Sequence, residues 1–248
     1  MRIGIFADIH ANQEALEACL AHAQTRGIDR YVFLGDLIGY GADPEWVLDT
    51  VICYQKLGAL VLLGNHDEAV LLKKQDRPMN EDAQRVVEWT RSRLTDEHIN
   101  FLAGLPLKVE ESDYAYVHAN AWAPDGWDYV MDVSDAVKSI AATKCRCTFI
   151  GHLHFNTLYY SGETGKAGFF KPVAGIDIPL SANRRWLAVI GSVGQPRDGN
   201  PAGCYAIYDL ARKMLTYYRV PFNVEATAAK IREAGLPDWL GARLEMGV

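Results

Sequence analysis

The first 67 residues repeat one pattern, in which a short apolar run ends in polar residues and a helix-like segment follows. The runs lie at 2–7, 31–34 and 59–63, and the polar groups after them are Asp8 and His10, then Asp36, then Gly64-Asn65-His66-Asp67. Strands that alternate with helices pair in parallel through right-handed crossovers. The three polar loops are therefore predicted at the carboxyl edge of one sheet, where open α/β sheets bind ligands.

The remaining chain is predicted to be helical at first and then rich in strands. Asn80 and Thr95 are predicted N-caps of helices within about 67–104. Later apolar segments predict strands at 105–109, 114–118, 147–150, 157–160, 168–171, 186–190, 204–208 and 215–220, and a helix near 224–234. No Pro-rich or Ser-rich linker divides the sequence. These observations predict an α/β fold with two packed sheets, as a single domain spanning 1–248 with a helical insertion at about 67–104.

Composition excludes several classes of protein. The 248 residues are 49% hydrophobic and 23% charged, which is typical of a globular protein. The net charge is −6 and no run of Lys or Arg exceeds a pair, so we expect no extended nucleic-acid surface. No segment reaches the roughly 18 apolar residues of a membrane span, and Asp8 and His10 interrupt the first apolar run before it could serve as a secretory signal. We expect a cytoplasmic protein without membrane contact.

Five of the seven histidines follow predicted strands, where they accompany carboxylate and amide side chains. The set consists of Asp8, His10, Asp36, Asn65, His66, His118, His152 and His154. Gly64-Asn65-His66-Asp67 alone could be an ordinary polar loop, because Asn and Asp favour turns. Similar groups after four other strands instead indicate that the whole set has a shared functional role. Cys145 and Cys147 lack a second thiol pair nearby and are predicted to be buried core thiols.

These motifs resemble the calcineurin-like metallophosphoesterase family. Its pattern runs Asp-x-His, Gly-Asp, Gly-Asn-His-Asp/Glu, a later His and Gly-His-x-His, and every element is present here. The stretches at 35–44 and 191–199 are similar to those of small bacterial-type phosphodiesterase-like members. Ala11 stands where Gly is common and Leu153 where Thr is frequent. The resemblance implies a four-layer α/β/β/α sandwich with two mixed sheets and flanking helices.

The resemblance also implies two divalent metal ions with a bridging hydroxide as the nucleophile. One ion would be held by Asp8, His10, Asp36 and His154, and the other by Asp36, Asn65, His118 and His152, with Asp36 as the bridge. The donors include no thiolate and suit manganese, iron, zinc, nickel or magnesium. His66 would protonate the leaving group or hold a phosphate oxygen, and Asp67 would fix the tautomer of His66.

The expected activity is hydrolysis of phosphate esters, with a phosphodiester or a small nucleotide favoured by the resemblance. Alternatives are a protein Ser/Thr phosphatase, a dinucleoside-polyphosphate hydrolase, or a non-catalytic scaffold of the same fold. Scaffolds are expected to lose ligands, whereas this set is complete. The expected partner is a small phosphate ester. The sequence does not indicate whether the protein is a monomer or an oligomer. Trp122, Trp127 and Tyr129 could stack on a substrate ring or simply pack, and Arg197 could pair with a phosphate or be solvated.

Overall fold

The computed structural model describes residues 1–72 and 81–248, which form two six-stranded sheets flanked by helices. The strands are β1 (Arg2–Phe6), β2 (Arg30–Phe33), β3 (Leu60–Val61), β4 (Lys108–Glu111), β5 (Tyr114–Val117), β6 (Cys147–Ile150), β7 (Asn156–Gly162), β8 (Ala167–Phe170), β9 (Ile178–Pro179), β10 (Arg184–Ile190), β11 (Gly203–Asp209) and β12 (Met214–Val220). The helices are α1 (Gln13–Gln24), α2 (Pro44–Lys56), α3 (Asn65–Leu71), α4 (Glu81–Arg93), α5 (Asp96–Ala103), α6 (Val133–Ala141), α7 (Val224–Glu233) and α8 (Asp238–Met246).

Both sheets are mixed. The first has the order β3-β2-β1-β11-β12-β9, in which β1, β2 and β3 are parallel and β11 runs antiparallel to β1. The second has the order β4-β5-β6-β10-β7-β8, in which β5, β6 and β10 are parallel. The predicted parallel arrangement of the first three strands is confirmed, so their carboxyl ends share one edge.

The two sheets pack face to face. Ile3 and Ile5 of β1 belong to the same buried cluster as Tyr116 and Phe149 of the second sheet. Phe6 points to the other face of β1, where it packs with residues of α1 and α2, because successive strand residues alternate between faces. Helix α6 covers the outer face of the second sheet. The predicted four-layer α/β/β/α sandwich is confirmed.

Several predicted elements differ from the observed ones. The third strand covers Leu60–Val61 rather than 59–63, and helix α3 begins at Asn65, within the segment read as a loop. Helix α8 and strand β9 were not predicted from the sequence. Thr95 caps α5 as predicted, since its hydroxyl accepts the backbone N–H of His98. The predicted cap Asn80 lies outside the described residues.

Cys145 and Cys147 are buried as free thiols, in agreement with the prediction for them. In residues 1–72 and 81–248, no helix combines the length and the apolar character needed to cross a bilayer.

Candidate metal centre

Loops from both sheets place the predicted ligands beside one another. Asp8 and His10 follow β1, Asp36 follows β2, His118 follows β5, and His152 and His154 follow β6. All six side chains are buried. The loops also bind each other, because the His10 backbone N–H donates to the Asp36 carbonyl at 3.0 Å. The His152 N–H donates to the Asp8 carboxylate at 2.9 Å, which joins the two sheets.

These side chains form two overlapping donor groups. One contains Asp8, His10, Asp36 and His154, the other contains Asp36, His118 and His152, and the donor atoms of each group lie within 4.8 Å of one another. Asn65 lies beside the second group, since its Oδ1 is 3.2 Å from Nε2 of His118. We call these seven residues the candidate metal centre. Asp36 is the residue that both groups share.

Backbone carbonyl groups fix the orientation of the four histidine rings. The Nδ1 atoms of His10, His118 and His154 lie 3.2, 2.9 and 2.6 Å from the carbonyl oxygens of Ile38, Leu34 and Gln195, and Nε2 of His152 lies 3.1 Å from that of Trp127. A carbonyl only accepts hydrogen bonds, so each of these nitrogens carries a proton. In the neutral ring the other nitrogen then offers a lone pair, which is how proteins orient histidine ligands of metals.

Unpaired acceptor atoms inside the centre match a divalent cation. Nε2 of His10 and Nε2 of His154 lie 3.1 Å apart, although in neutral rings both are acceptors. Oδ2 of Asp36 is buried and receives no hydrogen bond from the described residues. The nearest ring nitrogens are Nε2 of His118 at 3.4 Å and Nε2 of His10 at 3.6 Å. A buried acceptor without a partner is costly, and cations would satisfy all of these atoms.

The charged groups of the centre shift one another's pKa values. Burial raises the pKa of Asp8 to about 7, although the positive charge of His118 opposes this. Burial also disfavours ionised Asp36, but His118 and His66 outweigh it and hold the pKa of Asp36 well below its usual value. Burial lowers the pKa of His118, yet the Asp36 charge outweighs this and raises it to about 9. Without a cation, His118 therefore keeps a proton that a bound ion must displace.

Five of the seven residues of the centre have left-handed backbone conformations. The φ angles of Asp8, His10, Asp36, His152 and His154 lie between 51° and 68°. Such values are uncommon outside glycine and cost roughly 1–3 kcal/mol each, and they concentrate at functional sites. All five are Asp or His, which are enriched among the non-glycine residues that adopt positive φ.

His66 lies at the rim of the centre. Its half-buried ring is edge-on to His10, with centroids 5.0 Å apart, and its centroid is 4.4 Å from that of Tyr40. Its other neighbour is Gly39, where an added Cβ would lie 2.9 Å from Nδ1 of His66. Gly39 and Tyr40 therefore set the ring position, which sequence reasoning missed.

The prediction that Asp67 orients His66 is corrected by the structure. Asp67 is fully buried, and its Oδ1 accepts backbone N–H groups of Leu37 and Ile38 at 2.9 and 3.2 Å. Its Oδ2 accepts the N–H of Gly64 at 3.0 Å. Asp67 thus caps α3 and ties it to the loop after Asp36, and both of its oxygens serve the backbone.

The aromatic residues after His118 have different positions. Trp127 is buried and donates its Nε1–H to Glu68 at 2.8 Å. Its backbone carbonyl accepts a hydrogen bond from Nε2 of His152, so Trp127 helps to orient that ring. Tyr129 stacks on His152 at 4.2 Å and is 48% exposed. Trp122 instead packs in the outer core with Lys138 over its ring.

Arg197 lies beside the centre. Its backbone N–H donates to the carbonyl of His154 at 3.0 Å. Its guanidinium donates to Gln195 Oε1 at 2.7 Å and lies 5.7 Å from the ring centroid of Tyr40. It is therefore within the same wall of the site as His66 and Tyr40.

Comparisons with known proteins identify a family and similar structures. A family model described as the calcineurin-like phosphoesterase superfamily domain matches residues 1–213. An uncharacterised protein of Methanocaldococcus jannaschii is 33% identical over 250 residues, which cover 99% of this chain and 98% of that protein. The crystal structure of a metallophosphoesterase from Sphaerobacter thermophilus is 34% identical with a TM-score of 0.87, and the alignment covers 100% of both chains. A hypothetical protein of Pyrococcus horikoshii has a TM-score of 0.80 at 16% identity, covering 100% of this chain and 98% of the other, and shares the fold.

Proposed function

This chain belongs to the calcineurin-like phosphoesterase superfamily, and we propose that it hydrolyses phosphate esters with two divalent metal ions bound at the candidate metal centre. The observation that carries the proposal is the position of Asp36. Its carboxylate belongs to both donor groups, and its buried Oδ2 faces two histidine rings without a hydrogen bond from the described residues.

In this proposal each donor group holds one ion. Asp8, His10, Asp36 and His154 would hold the first, and Asp36, Asn65, His118 and His152 would hold the second. Bound divalent ions supply Lewis-acid chemistry, which neutralises charge that develops on a phosphoryl group. The chain orients the donors through backbone carbonyls and excludes water by burial. Because the donors are oxygen and imidazole nitrogen, manganese, iron, zinc, nickel and magnesium all suit the site.

His66 is the proposed general acid. Its ring lies next to His10 but belongs to neither donor group, and its ring nitrogens make no hydrogen bond to the described residues. A nitrogen of this ring is thus free to give a proton to the leaving oxygen of an ester. Arg197, on the same wall, would hold a phosphate oxygen through its guanidinium.

The proposed substrate is a small phosphodiester or nucleotide, bound without an extended nucleic-acid surface. A complete set of buried, oriented donors supports an enzyme over a non-catalytic scaffold of the same fold. Five of the donor residues have strained backbone conformations, and such strain is kept where a functional site requires it.

Hydrolysis of bis(p-nitrophenyl) phosphate tests the proposal. The protein treated with chelator should be inactive, and added Mn²⁺ should restore release of p-nitrophenolate. Asp36→Asn should remain inactive under the same conditions. Absence of activity with every divalent ion, across diesters, monoesters and nucleotides, would overturn the assignment.

A further inference from the structure

A groove of about 670 Å³ opens beside the candidate metal centre. Small-molecule sites usually have volumes of ~300–1,000 Å³, so its size suits an organic ligand. Its apolar walls include Met131, Phe155, Tyr159 and Phe169, and Arg197 lines it as well. We call this feature the side groove.

The side groove adjoins the proposed ligands on two sides. Phe155 directly follows His154, and Arg197 donates its backbone N–H to the His154 carbonyl at 3.0 Å. On the other side, Tyr129 stacks on His152 at 4.2 Å, and Met131 follows two residues later. The walls of the side groove are therefore built partly from residues that adjoin His152 and His154.

The walls of the side groove present apolar and aromatic surface to solvent. Met131 is 70% exposed and Phe169 is 57% exposed. The Phe169 ring lies 5.6 Å from that of Tyr159, so two aromatic rings already form one side. Large exposed apolar groups that cluster in a concave surface mark binding sites, and aromatic rings favour stacking on another planar ring.

The side groove is also lined by two cationic and two acidic side chains. Arg197 and Lys171 line it, and neither forms an ion pair with a carboxylate in the described part of the chain. Asp198 pairs with Arg219, and Asp132 accepts the backbone N–H of Asp135 as the cap of α6. Arg197 can therefore pair with the phosphate of a ligand whose organic part lies in the side groove.

We propose that the side groove binds the organic part of the substrate, that this part is a planar aromatic ring system, and that Phe169 and Met131 select it. This inference rests on the proposed function, because it places the phosphate of the same molecule at the candidate metal centre. Phe169 and Met131 are specificity residues and take no part in the reaction.

Binding of two phosphonates to the Mn²⁺-loaded protein, measured by calorimetry, tests the inference without any turnover. Methylphosphonate carries only the anionic head, and (2-naphthyl)methylphosphonate adds an aromatic ring system to it. The wild type should bind the naphthyl compound more tightly. Phe169→Ala should weaken naphthyl binding by about 2- to 12-fold, the size expected for losing a stacked aromatic contact, and should leave methylphosphonate binding unchanged.

Phe170→Ala is the matched control. Phe170 is the next residue of β8, is 38% exposed and points to the opposite face of the strand, so both affinities should stay at the wild-type values.

Met131→Ala should repeat the Phe169→Ala result at a second, even more exposed position. The inference would be overturned if Phe170→Ala lost as much naphthyl affinity as Phe169→Ala. It would also be overturned if Phe169→Ala lost affinity equally for both phosphonates, or if the wild type bound the naphthyl compound no more tightly than methylphosphonate. Failure of the proposed function differs, because then neither phosphonate would bind and no ester would be hydrolysed.

Discussion

Nε2 of His10 and Nε2 of His154 face each other at 3.1 Å, and the Nδ1 of each ring is held by a backbone carbonyl. Burial keeps the pKa of both rings well below the usual value, so both are neutral and two lone pairs point at each other. This arrangement is unfavourable by itself and favourable around a cation. The local geometry therefore links binding of a metal ion to the stability of the fold.

Added metal should stabilise the protein against heat. A ligand at 100 times its Kd contributes about 2.7 kcal/mol, which corresponds to a rise in Tm of about 5–10 °C for a chain of this size. Thermal unfolding of chelator-treated protein with and without Mn²⁺ measures this shift. The double variant His10→Ala/His154→Ala should lose most of it, and an unchanged shift in that variant would show that the ion binds elsewhere.

Substitution of Asp36 should weaken both ions together. Asp36 belongs to both donor groups, whereas Asp8 belongs to the first alone. Elemental analysis should find fewer than one ion per chain in Asp36→Ala, while Asp8→Ala should retain the ion of the second group. If Asp36→Ala kept two tightly bound ions, its role as the shared ligand would be wrong.

His66→Ala should keep the metal content and lower turnover. Loss of a general acid reduces rates by roughly 100-fold to 10,000-fold. His22→Ala is a suitable control, since His22 lies on α1 and its Nδ1 contacts the Tyr205 hydroxyl at 2.7 Å, away from the centre. Steady-state kinetics with matched metal analysis measures the effect, and wild-type turnover in His66→Ala would remove His66 from the mechanism.

Gly39→Ala should reduce turnover by displacing His66. An added Cβ would lie 2.9 Å from Nδ1 of that ring, and misplacement of a reacting group by about 1 Å can cost about 100-fold. Gly58→Ala is the matched control, because Gly58 has a similar φ of +98° but no atom within 4 Å of the added Cβ. Both variants should lose stability through the strained backbone, and only Gly39→Ala should lose turnover at full metal occupancy. Equal turnover in the two variants would contradict this role of Gly39.

Much of the layered fold was accessible from local sequence pattern. The order of apolar runs and helix signals predicted β1, α1, β2 and α2 in parallel connection, and strand β6 was predicted with its observed bounds. Local signals failed where long-range contacts decide the structure. Strand β3 pairs with β2 over only two residues, and the short strand β9 pairs with β12, which lies far from it in sequence.

The candidate site was predictable as a set of residues but not in all of its roles. Strand-end positions identified Asp8, Asp36 and His118, because carboxyl ends of neighbouring strands must meet. The role of Asp67 depends on the backbone N–H groups of Leu37 and Ile38, which lie thirty and twenty-nine positions away. No periodicity or spacing predicts such a contact between loops.

The most direct test of the two-ion centre is the anomalous scattering of crystals grown with Mn²⁺. The proposal predicts two peaks about 3.5–4 Å apart, with the Asp36 carboxylate between them, Asp8, His10 and His154 around one, and Asn65, His118 and His152 around the other. A single peak at full occupancy, or peaks that Asp36 does not touch, would contradict the proposal.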